Sequence, residues 1–167
     1  QAVKLLKKSG QQVELTLAGD GPERDALQAM ARQEQIDSLV RWAGFLDSES
    51  LAREYARHAV FVHPSRETKS GDREGIPNSL IEAMAAGRVV VGTRHSGIPE
   101  VVTDGVNGRL IDHADPADLA RVLREIASQP LDAVLMASKA RKTVIEKFSS
   151  AACIRQLEAC YNQALDQ

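Results

Sequence analysis

A chain of 167 residues, 43% of them apolar and 26% charged, can bury one sizeable core and is too short for two ordinary domains. A formal charge of −2 and a pI near 6.1 exclude a surface built to follow nucleic-acid phosphates, which needs a strong positive excess. No apolar run approaches the roughly 20 residues of a membrane-spanning helix, and no signal-peptide pattern opens the chain, so a cytoplasmic α/β domain is expected.

The first residues, with Ala2, Val3, Leu5 and Leu6, already read as a helix that begins at Gln1 rather than methionine, as if cut from something longer. Residues 13–19 (V-E-L-T-L-A-G) alternate as a strand and run through D-G-P into a helix built on Leu27, Met30 and Ala31. The unit recurs: a strand at 39–43, a Gly44-Phe45-Leu46 turn, and a helix with Leu51 and Tyr55, capped by Ser48. Residues 59–63 (A-V-F-V-H) form a short apolar strand, of the kind covered on both faces, that Pro64 stops. A polar loop leads to a helix at 77–86, with Pro at its start and Gly87 just past its end. Strands follow at 89–92 and, after D-G-V-N-G, at 109–111; helices run over 116–128 and through most of 131–167.

Strands alternating with helices over short connections imply a doubly wound parallel sheet, Rossmann-like, as one domain over 1–167: a core at 1–148 and a C-terminal helix at 149–167. Ile154, Leu157 and Tyr161 recur at helical spacing there, and core packing is expected for them. Cys153 and Cys160, two turns apart, are too distant for a disulfide and read as reduced, packed thiols. In such sheets ligands bind at the carboxyl ends of the strands. The loops at 19–22, 44–45, 63–75 and 93–99 should therefore converge on one crevice.

The chemistry concentrates in E-G-I-P-N-S-L-I-E-A-M-A-A-G, with seven residues between Glu74 and Glu82. Gly75, Ile76 and Pro77 bend the chain into a helix whose first backbone N–H groups, from Asn78 through Ser79 to Leu80, lack intrahelical partners and suit a diphosphate. Glu82, one turn past Asn78 on the same face, can reach beyond the phosphates to paired hydroxyls such as those of a ribose, while Leu80, Ile81 and Met84 point to the core. Glu74 would lie on the other side, by the donor sugar. A lone glutamate is usually a solvated helix residue or a complement to a helix N-terminus; the whole string favours a site. The four histidines, His58, His63, His95 and His113, are scattered, and no metal site is read.

Together with L-A-G-D-G-P, W-A-G-F-L, V-H-P-S, S-G-I-P-E at 96–100, D-G-V-N-G-R-L-I and the F-S at Phe148, this segment resembles the retaining GT-B glycosyltransferases of family 4, also called glycosyltransferase group 1. The similarity covers nearly all of the chain and identifies it with their C-terminal, donor-binding domain. G-D-R-E-G-I-P-N-S-L looks most like bacterial enzymes of exopolysaccharide or lipopolysaccharide synthesis. The resemblance implies transfer of a hexose-type sugar from a nucleoside diphosphate sugar to a glycan or lipid-linked acceptor, with retention, no metal and no cofactor. Glu74 would contact the sugar hydroxyls as the catalytic carboxylate. Backbone N–H groups of Gly75, Ile76, Asn78 and Ser79, around Pro77, would hold sugar and diphosphate; Leu80 would pack near the nucleoside. Glu82 would bind the ribose, the backbone at Phe45 the base, and Gly19 and Gly21 would admit the ligand.

The chain departs from the pattern where family members carry, earlier, a strand ending in a Gly-Arg turn and a nearby Lys that neutralise the diphosphate. That strand would lie between those at 13–19 and 59–63, so these two should not pair directly, and an outside segment, a partner or a rearrangement should cover them. The acceptor domain is missing as well. The chain alone should be inactive, and the full-length protein should be cytoplasmic, with possible association at the inner membrane face. Arg66, Lys69 and Arg73 could substitute for the missing cations, although a solvated charged loop is the plainer reading. A non-catalytic nucleotide-binding module and a GT-B sugar-nucleotide epimerase are the alternatives. A dehydrogenase is disfavoured, because G-D-G-P is not G-x-G-x-x-G.

Overall fold

A computed structural model describes residues 1–66, 75–112 and 115–165. The chain runs α1 (Ala2–Lys8), β1 (Leu15–Ala18), α2 (Arg24–Gln33), β2 (Val40–Gly44), α3 (Ser48–Arg57), β3 (Val60–His63), α4 (Asn78–Ala85), β4 (Val89–Thr93), α5 (Ile98–Val101), β5 (Arg109–Ile111), α6 (Pro116–Ser128), α7 (Pro130–Lys147) and α8 (Ser150–Leu165).

All strand pairings are parallel, but they fall into two pieces: β1 with β2, and β3 with β4 and β5. β1 and β3 are not paired with each other, as expected of a doubly wound sheet lacking a strand between them. They are tied instead through α3. His58, at its C-terminal end, meets Thr16 Oγ1 of β1 through Nε2 at 3.0 Å and the Glu54 carbonyl through Nδ1 at 2.8 Å.

β4 is the best-covered strand, with all five residues buried. Its alternation divides the core. Val90 joins Leu80, Ala83 and Met84 of α4, Ile98 and Val101 of α5, and Ala140 and Val144 of α7. Val89 and Val91 face the other way, onto Ile111, Val122 and Ile126. Each such side chain contributes about 1.5–3 kcal/mol by leaving water, which is why V-V-V reads as continuous apolar sequence rather than alternation.

The turn before β5 is held by a buried amide. Asn107 Oδ1 accepts from the Thr103 N–H at 2.7 Å, and Nδ2 donates to the Val101 carbonyl at 3.0 Å and to Thr143 Oγ1 of α7 at 3.1 Å. At 4% exposure it has little access to water. Asn107→Ala would strand the Thr103 N–H and Val101 carbonyl, and is expected to lower unfolding stability by about 1–3 kcal/mol, read by urea denaturation.

α2 forms as expected, with Ala31 buried and Leu27 and Met30 42% and 43% exposed. α7 begins at Pro130, and a separate C-terminal helix, α8, follows the break at Phe148 and Ser149, as the sequence indicated. α8 buries Ala152 alone, and Ile154, Leu157 and Tyr161 are 55%, 53% and 62% exposed rather than packed. Cys153 and Cys160 are free, as expected, but exposed rather than packed. Among the described residues, no helix is long and apolar enough to cross a membrane.

Candidate functional site

Pro77, buried and extended at φ −64°, ψ 125°, turns the chain into α4 and is its N-cap rather than its first helical residue. It has no side chain with which to cap. The Asn78 and Ser79 N–H groups therefore have no partner among the described residues, as expected of a helix start. The Leu80 N–H is not open, since it donates to the Pro77 carbonyl at 3.0 Å, while the Leu80 side chain, 0% exposed, lies in the core as expected. That side chain anchors α4 in the core. Ile76 is half-buried and packs on the same core, while Gly75 and Asn78 are exposed.

Glu82 is exposed but not unheld. The Tyr55 hydroxyl, from α3, reaches Glu82 Oε2 at 3.2 Å and the Ser79 carbonyl at 3.1 Å. Burial, then the facing Glu82 carboxylate, push the Tyr55 phenol well above its ordinary value, so it stays a neutral donor. Sequence reasoning placed Tyr55 on a helix but missed this contact. Ile81 is partly buried and Met84 fully so, leaving Glu82 between them on the open side.

The loops leaving β3 and β4 are locked together beneath this helix start. Thr93 Oγ1 donates to the Ser65 carbonyl at 2.6 Å. Gly97 lies so close to the 75–77 bend that a Cβ there would stand 2.7 Å from Ile76 Cγ1 and 3.0 Å from the Gly75 carbonyl carbon and the Ile76 nitrogen. Beside them His95 holds a buried Nε2 without a hydrogen-bond partner among the described residues.

Gly19, Gly21 and Phe45 gather at the carboxyl ends of β1 and β2. The Gly19 N–H donates to the Gly44 carbonyl at 2.7 Å, with Gly19 at φ +126° and Gly44 at φ +66°, conformations that favour glycine. Phe45 is 86% exposed. A cation missed in the sequence stands here: Arg24 pairs with Asp20 at 2.9 Å, its Nη1 3.6 Å from where a Gly44 Cβ would be. α3 links the two loop groups, starting just after Phe45 and carrying Tyr55 to Glu82. Glu74, Lys69, Arg73 and His113 lie outside the described residues. Among those described, no three His, Cys, Asp or Glu side chains gather to hold a metal.

The family model for glycosyl transferases group 1 matches residues 1–129. The chain belongs to this family. It is 34% identical over 157 residues to the amylovoran biosynthesis glycosyltransferase AmsK of Erwinia amylovora, and 36% identical over 160 residues to the putative colanic acid biosynthesis glycosyltransferase WcaL of Salmonella typhimurium. Each match covers 94% of this chain but 39% of the relative, so the chain spans about two fifths of the length of the curated relatives it matches. Among solved structures, Anabaena Alr3699/HepE in complex with UDP superposes with a TM-score of 0.80 at 22% identity, covering 90% of this chain and 41% of that one. The C-terminal domain of the group 1 protein LpcC from Francisella tularensis gives 0.75 at 22% identity, over 89% of this chain and 76% of that domain. The group 1 chain thus has the α/β fold of a GT-B C-terminal domain.

Proposed function

We propose that this group 1 domain binds the donor of a glycosyltransferase that moves a hexose-type sugar from a nucleoside diphosphate sugar to a glycan or lipid-linked acceptor, in bacterial cell-surface polysaccharide synthesis. The observation that carries the reading is α4: two N–H groups at its start that have no partner among the described residues, with a held carboxylate one turn along. The N–H pair and the helix dipole attract the diphosphate and stabilise charge as it departs. Glu82 accepts hydrogen bonds from the ribose diol. Glu74 takes the donor sugar hydroxyls, as the family resemblance implies, and transfer proceeds with retention and without a metal. The acceptor site and the cations that neutralise the diphosphate come from parts of the full-length protein outside this chain. A strand from the same source would cover the unpaired sides of β1 and β3. We place the full-length protein in the cytoplasm.

The test is titration of the full-length protein with UDP- and GDP-sugars before and after Glu82→Ala. Loss of a charge-assisted hydrogen bond, about 1.5–3 kcal/mol, should weaken donor binding at least about tenfold. Unchanged affinity would remove Glu82 from the site.

A further inference from the structure

Tyr55 belongs to α3, yet everything it touches with its polar end belongs to α4. The ring is fixed: 7% exposed within the larger core cluster, it meets Phe61 edge-on, with centroids 5.7 Å apart and planes at 74°. The hydroxyl emerges from that cluster at the base of the α4 start, where its one proton is shared between two acceptors, the Ser79 carbonyl and Glu82 Oε2. Among the described residues no other hydrogen-bond donor reaches the Glu82 carboxylate.

An exposed glutamate on a helix samples several rotamers and loses that freedom only when a ligand orders it. A phenol anchored in the core removes the loss beforehand. It claims one face of Oε2 and leaves Oε1, with the remaining lone pairs, to accept from two neighbouring hydroxyls. The same hydrogen bond to Ser79 fixes the turn that carries the Asn78 and Ser79 N–H groups.

We propose that Tyr55 is a positioning residue for donor recognition, its hydroxyl holding the Glu82 carboxylate where the ribose diol arrives. This inference rests on the reading of Glu82 given above. It makes Tyr55, in the core and away from any ligand, a determinant of selectivity for ribose over its deoxy forms.

The test uses the full-length protein and four ligands: UDP and GDP, each with its 2′,3′-dideoxy counterpart, titrated by calorimetry against wild type, Tyr55→Phe and Glu82→Ala. Phenylalanine keeps the ring and its contact with Phe61. For the base that binds, wild type should prefer the ribonucleotide, and Tyr55→Phe should shrink that preference about three- to tenfold while leaving the dideoxy affinity within about twofold. A preference kept at its wild-type value, or both ligands weakened equally, overturns the inference, because a merely structural tyrosine would affect both alike. Glu82→Ala separates the two readings. If it leaves the preference intact, the ribose role of Glu82 fails; if it erases the preference and Tyr55→Phe does not, only the inference about Tyr55 fails. Should the phenylalanine variant not fold, Tyr55→Leu, which also lacks the hydroxyl, carries the same expectation.

Discussion

Leu80→Ala is expected to destabilise the domain by about 2–5 kcal/mol, the range for removing a buried leucine and leaving a cavity. Its side chain is 0% exposed in a core cluster that also holds Tyr55 of α3, Val90 of β4, Ala140 and Val144 of α7, and Ala83 and Met84 of its own helix. Such a site collapses poorly, because β4 and α7 are held in place by their own contacts. With a typical domain stable by only about 5–15 kcal/mol, the loss is a large fraction of the total. Urea unfolding by circular dichroism of the full-length protein reads it as a lower midpoint. A change below about 1 kcal/mol would mean that α4 is anchored elsewhere. Donor affinity of the folded fraction should fall as well, because Leu80 carries the turn that offers its N–H groups.

The sequence made the strands and α4 legible, because short apolar runs marked the strands, with Pro64 ending that at 59–63, and Pro77 and Gly87 bracketed the helix. It also set the C-terminal helix, α8, apart from the core at Phe148. The four-residue α5 was hidden inside S-G-I-P-E, too short for any periodicity to appear. The error at Ile154, Leu157 and Tyr161 is of another kind: spacing says that side chains share a face, not that anything covers it. Within the site, the string at 74–82 located the helix start and Glu82 without showing which N–H groups stay open, since the bond from Leu80 back to Pro77 depends on how tightly the first turn winds. Tyr55 and Glu82 stand 27 positions apart on different helices. No local pattern can report such a contact; it follows from α3 packing beside α4.

Gly97→Ala should be the most damaging small change to donor binding, on the order of a hundredfold. The residue has an ordinary φ of −79°, so backbone strain is not the reason for glycine there. Space is. The added Cβ would stand 2.7 Å from Ile76 Cγ1, with the Gly75 carbonyl carbon and the Ile76 nitrogen at 3.0 Å, so backbone as well as side chain must yield. Ile76 is wedged against the core and Pro77 is buried, which directs the displacement along the chain toward Asn78 and Ser79. Moving binding groups by as little as about 1 Å can cost a hundredfold. Gly108→Ala provides the comparison. Its Cβ would meet Val102 Cγ1 and Val90 Cγ2 at 2.7 Å, an equally tight clash away from the α4 start. It should cost about 1–3 kcal/mol of stability through overpacking and leave donor affinity near wild type. Calorimetric titration and thermal unfolding of both variants separate the two effects: equal losses of affinity would mean that Gly97 acts through general stability, whereas a loss confined to Gly97→Ala places the 75–79 backbone against the donor.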